Sequence, residues 1–351
     1  MPGGTTQAIA SRVKVTSTDL VAAAAAVGLA ALLGVSDAPN STAALVSARS
    51  GSYPAVAAWS IGWHLVGGLV AGTAVARTVV GLVHVGPHLL EPALASGCIA
   101  SVGFTWLTTR RGFPTSASVG LVGGLAGAGV MAGGLHAVAW GQLSGFRLLG
   151  IAGVLVGILA APVLGALAAG ALDRGLRPLS FRLRRRSLRG LHGGLWFASA
   201  AVAVTDGSND GQKAMALLAV ALSGPGTFAA GGGGISWAER IACASVLAIF
   251  TVLGGRRIVL TVSRGLGKES SVDDLAAQSA SAVVIFLGGL AGLPLSTSTV
   301  VTSSMIGTGL ARRQRHIRWQ GVARIVAVWG VTVPSCAVVG GVIFELWKAA
   351  S

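Results

Sequence analysis

Asp206-Gly207-Ser208-Asn209-Asp210-Gly211-Gln212-Lys213 follows the apolar run 192–205, and a further apolar stretch, 211–223, resumes at once. An earlier stretch, Gly34-Val35-Ser36-Asp37-Ala38-Pro39-Asn40, follows the apolar run 18–35 in the same way, at an offset of 173 residues. Each sets a carboxylate and an amide or ammonium within one helical turn. A carboxylate at membrane depth costs about 2.5–3.5 kcal/mol. The chain has only 11 acidic residues, so two at repeated positions argue for use rather than accident. A polar loop facing water, with Asp37 and Asp210 as helix caps, accounts for one copy but not for the recurrence.

The surroundings of the two motifs fix the protein class. Of 351 residues, 53% are hydrophobic and 11% charged, and the mean hydropathy is +0.75. A soluble domain carries about 25% charged residues, so a water-facing surface is excluded, and so is disorder. The 53 glycines have no triplet period and suit helices packed closely in a bilayer. Cys98, Cys243 and Cys336 form neither a disulfide framework nor a metal spacing. The net charge of +15 sits largely in two arginine clusters, Arg174 to Arg189 and Arg312 to Arg318. Both lie between apolar segments, where the positive-inside rule places them. The charge therefore reports membrane orientation and not nucleic-acid binding.

A spanning helix needs about 20 apolar residues. The runs 18–35, 54–81, 89–109, 148–171, 192–205, 236–255, 275–292 and 320–347 qualify or nearly so. Four shorter stretches, 38–48, 114–134, 211–223 and 294–310, read as half-helices or hairpin arms. The expected organisation is a polar tail at 1–17, a first transmembrane repeat at 18–172, a basic cytoplasmic loop at 173–191 and a second repeat at 192–351. A second pair of segments supports the repeat. Phe113-Pro114-Thr115-Ser116-Ala117-Ser118 matches Leu293-Pro294-Leu295-Ser296-Thr297-Ser298 at an offset of 180, which Arg77 and Arg257 share. Arg110 and Arg111 precede the first of these segments, while Arg312, Arg313, Arg315 and Arg318 follow the second. If each segment crosses, both basic ends are cytoplasmic only when the copies run in opposite directions. The fold expected is an all-α polytopic membrane protein of two inverted repeats, with broken helices or hairpins meeting at a central site, an arrangement typical of secondary transporters.

The residue types suggest the chemistry. Gly and Pro beside Asp37 and Asp210 are expected to interrupt the helix, and freed carbonyls with a carboxylate suit a small cation. Proline favours a first helical turn, so the Thr and Ser that follow Pro114 and Pro294 present hydroxyls beside unpaired N–H groups and a positive dipole end. That is a site for an oxyanion. A single such Ser more often bonds its own helix backbone, but the pattern occurs in both copies.

These motifs resemble those of the inorganic phosphate transporter (Pit) family. The likeness is most specific at Asp206 to Ala214, weaker at Gly34 to Asn40, and extends to Pro294 to Thr299, Gly307-Thr308-Gly309 and Trp319 to Pro334. It covers nearly the whole chain. It implies a cell-membrane symporter that imports phosphate with protons or sodium and uses two inverted repeats. It further implies that Asp37, Asn40, Asn209 and Asp210 line the substrate and cation sites, and that Thr115, Ser116, Ser296, Thr297 and Ser298 hold the anion. Ser36 and Asp206 join Asp37 and Asp210 as candidates for the coupling cation. The family usually has Ser-His where this chain has Thr205-Asp206, and the added carboxylate would alter the coupling ion or favour a metal–phosphate complex. Ser36 stands where Asn or His is common, and the chain is short for the family.

Lys213 either neutralises Asp210 or Asp206 or meets the anion. Glu91, Asp273 and Asp274 read as helix-end carboxylates, and of six histidines only His64 reads as a proton carrier. Phosphate is favoured over sulfate because a carboxylate accepts a hydrogen bond from protonated phosphate and not from ionised sulfate. A channel would need a continuous polar lining. A membrane enzyme would need a nucleophile with a base or a metal cluster. Neither pattern is present, so no catalytic residue, resident cofactor or metal is expected. The expected partners are phosphate, the coupling cation and the lipid bilayer, with a homodimer as a candidate assembly and no nucleic acid.

Overall fold

Alanine and leucine dominate the apolar runs and favour helix. The computed structural model describes residues 17–110, 116–144, 147–182, 185–228, 232, 234–253, 270–311 and 319–350. Among them are eleven α-helices: α1 (Ser17–Ser47), α2 (Tyr53–Val70), α3 (Ala74–Val80), α4 (Pro87–Arg110), α5 (Ala117–Gly133), α6 (Gly150–Arg182), α7 (Arg185–Ser223), α8 (Trp237–Leu253), α9 (Ser271–Leu290), α10 (Thr297–Ala311) and α11 (Trp319–Ala350). A two-stranded antiparallel ribbon, β1 (Gln142–Ser144) and β2 (Arg147–Leu149), joins α5 to α6. Local signals set the ends. Pro54 lies in the first turn of α2. Ser270 and Asp273 form a capping box on α9. Gly134, at φ 77°, turns the chain out of α5.

The chain is an all-α multi-pass membrane protein. Large apolar side chains point outward in helical register: Leu159, Val163 and Leu167 on α6, Val338, Val342 and Leu346 on α11. Among the described residues five helices are long and apolar enough to cross, within α1, α4, α6, α9 and α11. The pair α2 and α3, bent by 70°, adds a sixth when the two are counted as one span. The sequence suggested about eight. The difference lies in α7, whose apolar run is diluted by its polar motif, and in α8, which has 17 residues.

Two further expectations are corrected. The helices are not interrupted at the motifs, since α1 runs through Gly34 to Asn40 and α7 through Gly207 to Lys213. The glycines there serve close approach. A Cβ at Gly34 would meet the backbone of Leu247 on α8, and one at Gly207 the backbone of His64 on α2. Pro39 stays in the helix and removes one N–H. The basic stretch 173–191 is helical where described, belonging to α6 up to Arg182 and to α7 from Arg185. Asp173 and Arg177 pair at one-turn spacing there, at 2.6 Å.

The packing of one half recurs in the other with partners exchanged. Helix α1 packs on α7 and α8, and α7 on α1 and α2; α5 packs on α4 and α11, and α10 on α9 and α6. Leu29, Leu94, Leu125, Leu217, Leu247 and Phe344 belong to the main core cluster, and Val202, Ile285, Leu295 and Met305 to a second. Small residues seal the crossings. A Cβ at Gly127 of α5 would lie 2.7 Å from the Ala337 Cα of α11, and one at Gly307 of α10 would lie 2.7 Å from the Ala166 Cα of α6.

Gly127→Leu should therefore force α5 from α11 and lower the thermal unfolding midpoint of the detergent-solubilised protein, at a cost of about 1–3 kcal/mol or more. Gly103→Leu, at a position with open space around it, should leave the midpoint within error.

Candidate functional site

The four stretches singled out in the sequence meet inside the helix bundle. Asp37 and Asn40 project from the C-terminal part of α1, and Asp206, Asn209, Asp210 and Lys213 from the middle of α7; all six are buried. The two Pro-x-Ser segments lead into α5 and α10. Ser118 donates to the carbonyl of Leu295 at 3.0 Å, which ties one segment to the other.

The first motif reaches across to α7 and α10. Asn40 Nδ2 donates to Asp37 Oδ1 (3.1 Å), Thr297 Oγ1 (3.3 Å) and Asp206 Oδ2 (3.4 Å). Ser298 Oγ also donates to Asp37 Oδ1, and Ser36 Oγ lies 3.3 Å from Asp37 Oδ2. The second motif reaches back. Lys213 Nζ donates to Asp210 Oδ1, to Ser118 Oγ (2.6 Å) and to the carbonyl of Leu295 (2.6 Å). Asn209 Nδ2 donates to the carbonyl of Leu293 at 3.0 Å. An ammonium has three donors, and those of Lys213 are all engaged within the protein. Of the two roles open to this side chain, the geometry corresponds to charge neutralisation.

Carboxylate oxygens of Asp37, Asp206 and Asp210 lie within 4.8 Å of one another. Three buried acids this close need positive charge or donors, and Lys213 is the one ammonium that touches them among the described residues. His64 of α2 is the other basic group in contact, with Nε2 3.3 Å from Asp206 Oδ2. Its Nδ1 faces the Ser60 carbonyl (2.8 Å) and hydroxyl (3.1 Å), which fixes the ring. A proton on either partner completes the hydrogen bond to Asp206. The other oxygen, Asp206 Oδ1, is buried with no hydrogen-bond partner, as is Asn209 Oδ1.

The segments after the prolines differ in detail. Ser116 caps α5, its hydroxyl accepting from Val119 N at 3.4 Å. Ser296 and Thr299 share a hydrogen bond of 2.6 Å. The first backbone bond into α10 runs from Val300 N to Ser296 O (3.2 Å), so the N–H groups of residues 297–299 lie ahead of the helical ladder and point out of its positive end. Thr115 lies outside the described residues. The sequence reading missed Gln278, whose Nε2 donates to the Asn40 carbonyl at 2.8 Å, and Gln212, whose Oε1 accepts from Val75 N at 3.0 Å. An amide inside each apolar run was the available signal.

Known proteins share this framework. A model of the phosphate transporter family matches residues 33–191 and 177–340. A probable low-affinity inorganic phosphate transporter of Mycobacterium bovis is 32% identical over 314 residues, covering 89% of this chain and 73% of its own length. The protein so described from Rhizobium meliloti is 30% identical over 316 residues, covering 89% of this chain and 91% of its own. A solved structure described as the sodium-dependent phosphate transporter superposes with a TM-score of 0.79 over 95% of this chain and 100% of that one. At 19% identity that likeness is one of fold.

Removing one member of a buried ion pair costs about 3–5 kcal/mol because it strands the other. Lys213→Met should therefore lower the unfolding midpoint in detergent sharply. The double variant Asp210→Asn with Lys213→Met should recover most of the loss, a non-additivity that a double-mutant cycle measures directly.

Proposed function

Because the chain belongs to the phosphate transporter family, we propose that it imports inorganic phosphate across the cell membrane by symport with a cation, a proton or sodium. The observation that carries this reading is the convergence of two helix starts rich in hydroxyls and N–H groups with three buried carboxylates. The helix starts suit the oxygens of a tetrahedral anion. Carboxylate oxygens suit its hydroxyl protons, and Asp206 Oδ1, buried without a partner, is the freest acceptor. This pairing favours phosphate over sulfate, which carries no proton at neutral pH. Phosphate entering a negative interior also moves against the membrane potential, about 2.3 kcal/mol per charge per 100 mV, so a cation must accompany it. Asp37 with Ser36 is the cation-facing side in this reading. Ser296, Thr297 and Ser298 face the anion with Asn40 and Asn209, and Ser116 sets the start of α5. The two halves, read as inverted copies, reorient around the site.

The test is uptake of labelled phosphate into proteoliposomes under separate sodium and proton gradients, with sulfate as competitor. One gradient should drive accumulation, and excess sulfate should leave most of it in place. Asp37→Asn should reduce gradient-driven uptake to background while the protein still inserts. Ser296→Ala should raise the apparent KM several-fold, the cost of about 1 kcal/mol for one lost hydrogen bond. Equal uptake with no gradient would refute symport.

A further inference from the structure

The two motifs sit in matching frames but are answered by different chemistry. Positions 37 and 210 correspond at the offset of 173, and so do positions 40 and 213. Ser118 and Ser298 correspond at the offset of 180. In each frame the residue three places on donates to the motif carboxylate, Asn40 to Asp37 and Lys213 to Asp210. In each frame the serine of the opposite copy completes the contact, Ser298 on Asp37 and Ser118 on Lys213. The donor is a neutral amide in the first copy and an ammonium in the second. An amide satisfies hydrogen bonds but adds no charge, so the single ammonium of Lys213 serves three carboxylates whose oxygens lie within 4.8 Å of one another, and the negative charge left over is costly in an apolar interior.

The other charged groups nearby do not remove this asymmetry. From α2, His64 meets Asp206. From α8, Glu239 is bonded to Ser223 and Ser236, and Arg240 to the carbonyls of Leu69 and Ala71. From α9, Asp274 meets Ser47. From α7, Asp206 and Asp210 face Asp37 in the same cluster of carboxylates, and α10 brings only the hydroxyl of Ser298 to it.

We propose that Lys213 is a tethered cation that permanently occupies the second of two equivalent cation positions, leaving the position at Asp37 for a mobile cation. A transport cycle then carries one cation fewer than it would with an amide at both places. The inference deepens the symport reading by assigning its stoichiometry, and it identifies Lys213 as a positioning and specificity residue that the anion does not touch.

Two mirror variants test it. Lys213→Asn restores the amide and opens the second position; Asn40→Lys fills the first. The purified protein is unfolded thermally in detergent against sodium chloride at constant ionic strength, and separately against pH. An added cation site steepens the dependence of the midpoint on cation concentration. Lys213→Asn should roughly double the wild-type slope, and Asn40→Lys should bring it close to zero. In proteoliposomes, the static-head phosphate accumulation of Lys213→Asn should rise by one further power of the driving gradient. An unchanged slope and an unchanged power in Lys213→Asn would overturn the proposal. Should that variant not be recovered folded, an undiminished slope in Asn40→Lys overturns it alone. Wild-type protein that is stabilised by cation yet takes up no phosphate would defeat the symport reading, and the slopes of the two variants would still decide the role of Lys213.

Discussion

The fully buried ammonium of Lys213 holds together parts of the chain that sequence keeps far apart. Its three donors fall on α7, on the start of α5 and on the irregular segment that leads into α10. Each acceptor is buried as well, so none of these bonds competes with water, and losing any one strands a charge or a lone pair. The surroundings of Asp210 are therefore tied together by an ammonium, while those of Asp37 are built from an amide and hydroxyls.

That contrast explains how one bundle meets two demands. A site for a hydrated anion must offer donors without binding so strongly that release fails. Backbone N–H groups at the start of α10 and its serine and threonine hydroxyls offer donors with no arginine among them. In the proposed function, negative charge from the three carboxylates opposes the anion and makes its occupancy depend on positive charge.

Much of this was legible in the residues. The scarcity of charge set the membrane class, and the offsets of 173 and 180 pointed to the four stretches that converge. What misled was glycine. Gly34 and Gly207 read as helix breakers, yet both allow backbones to touch, and a sequence does not distinguish these uses because each needs only a missing side chain. The pairing of His64 with Asp206 was hidden for a different reason: it spans 142 positions and depends on α2 crossing α7 at Gly207. The helical state of the basic stretch was hidden because arginine serves a loop and a helix equally well, and the pairing of Asp173 with Arg177 emerges only once the helix exists.

The exchange of closing helices also bears on how the chain is assembled. Helix α6, from the first half of the chain, packs on α9 and α10, while α11, from the second half, packs on α4 and α5. The seams at Gly127 and Gly307 are each closed by a helix from the other half of the chain. Severing the polypeptide between α6 and α7 would yield two fragments that each lack a wall, so productive folding would depend on their being synthesised together and finding one another in the bilayer.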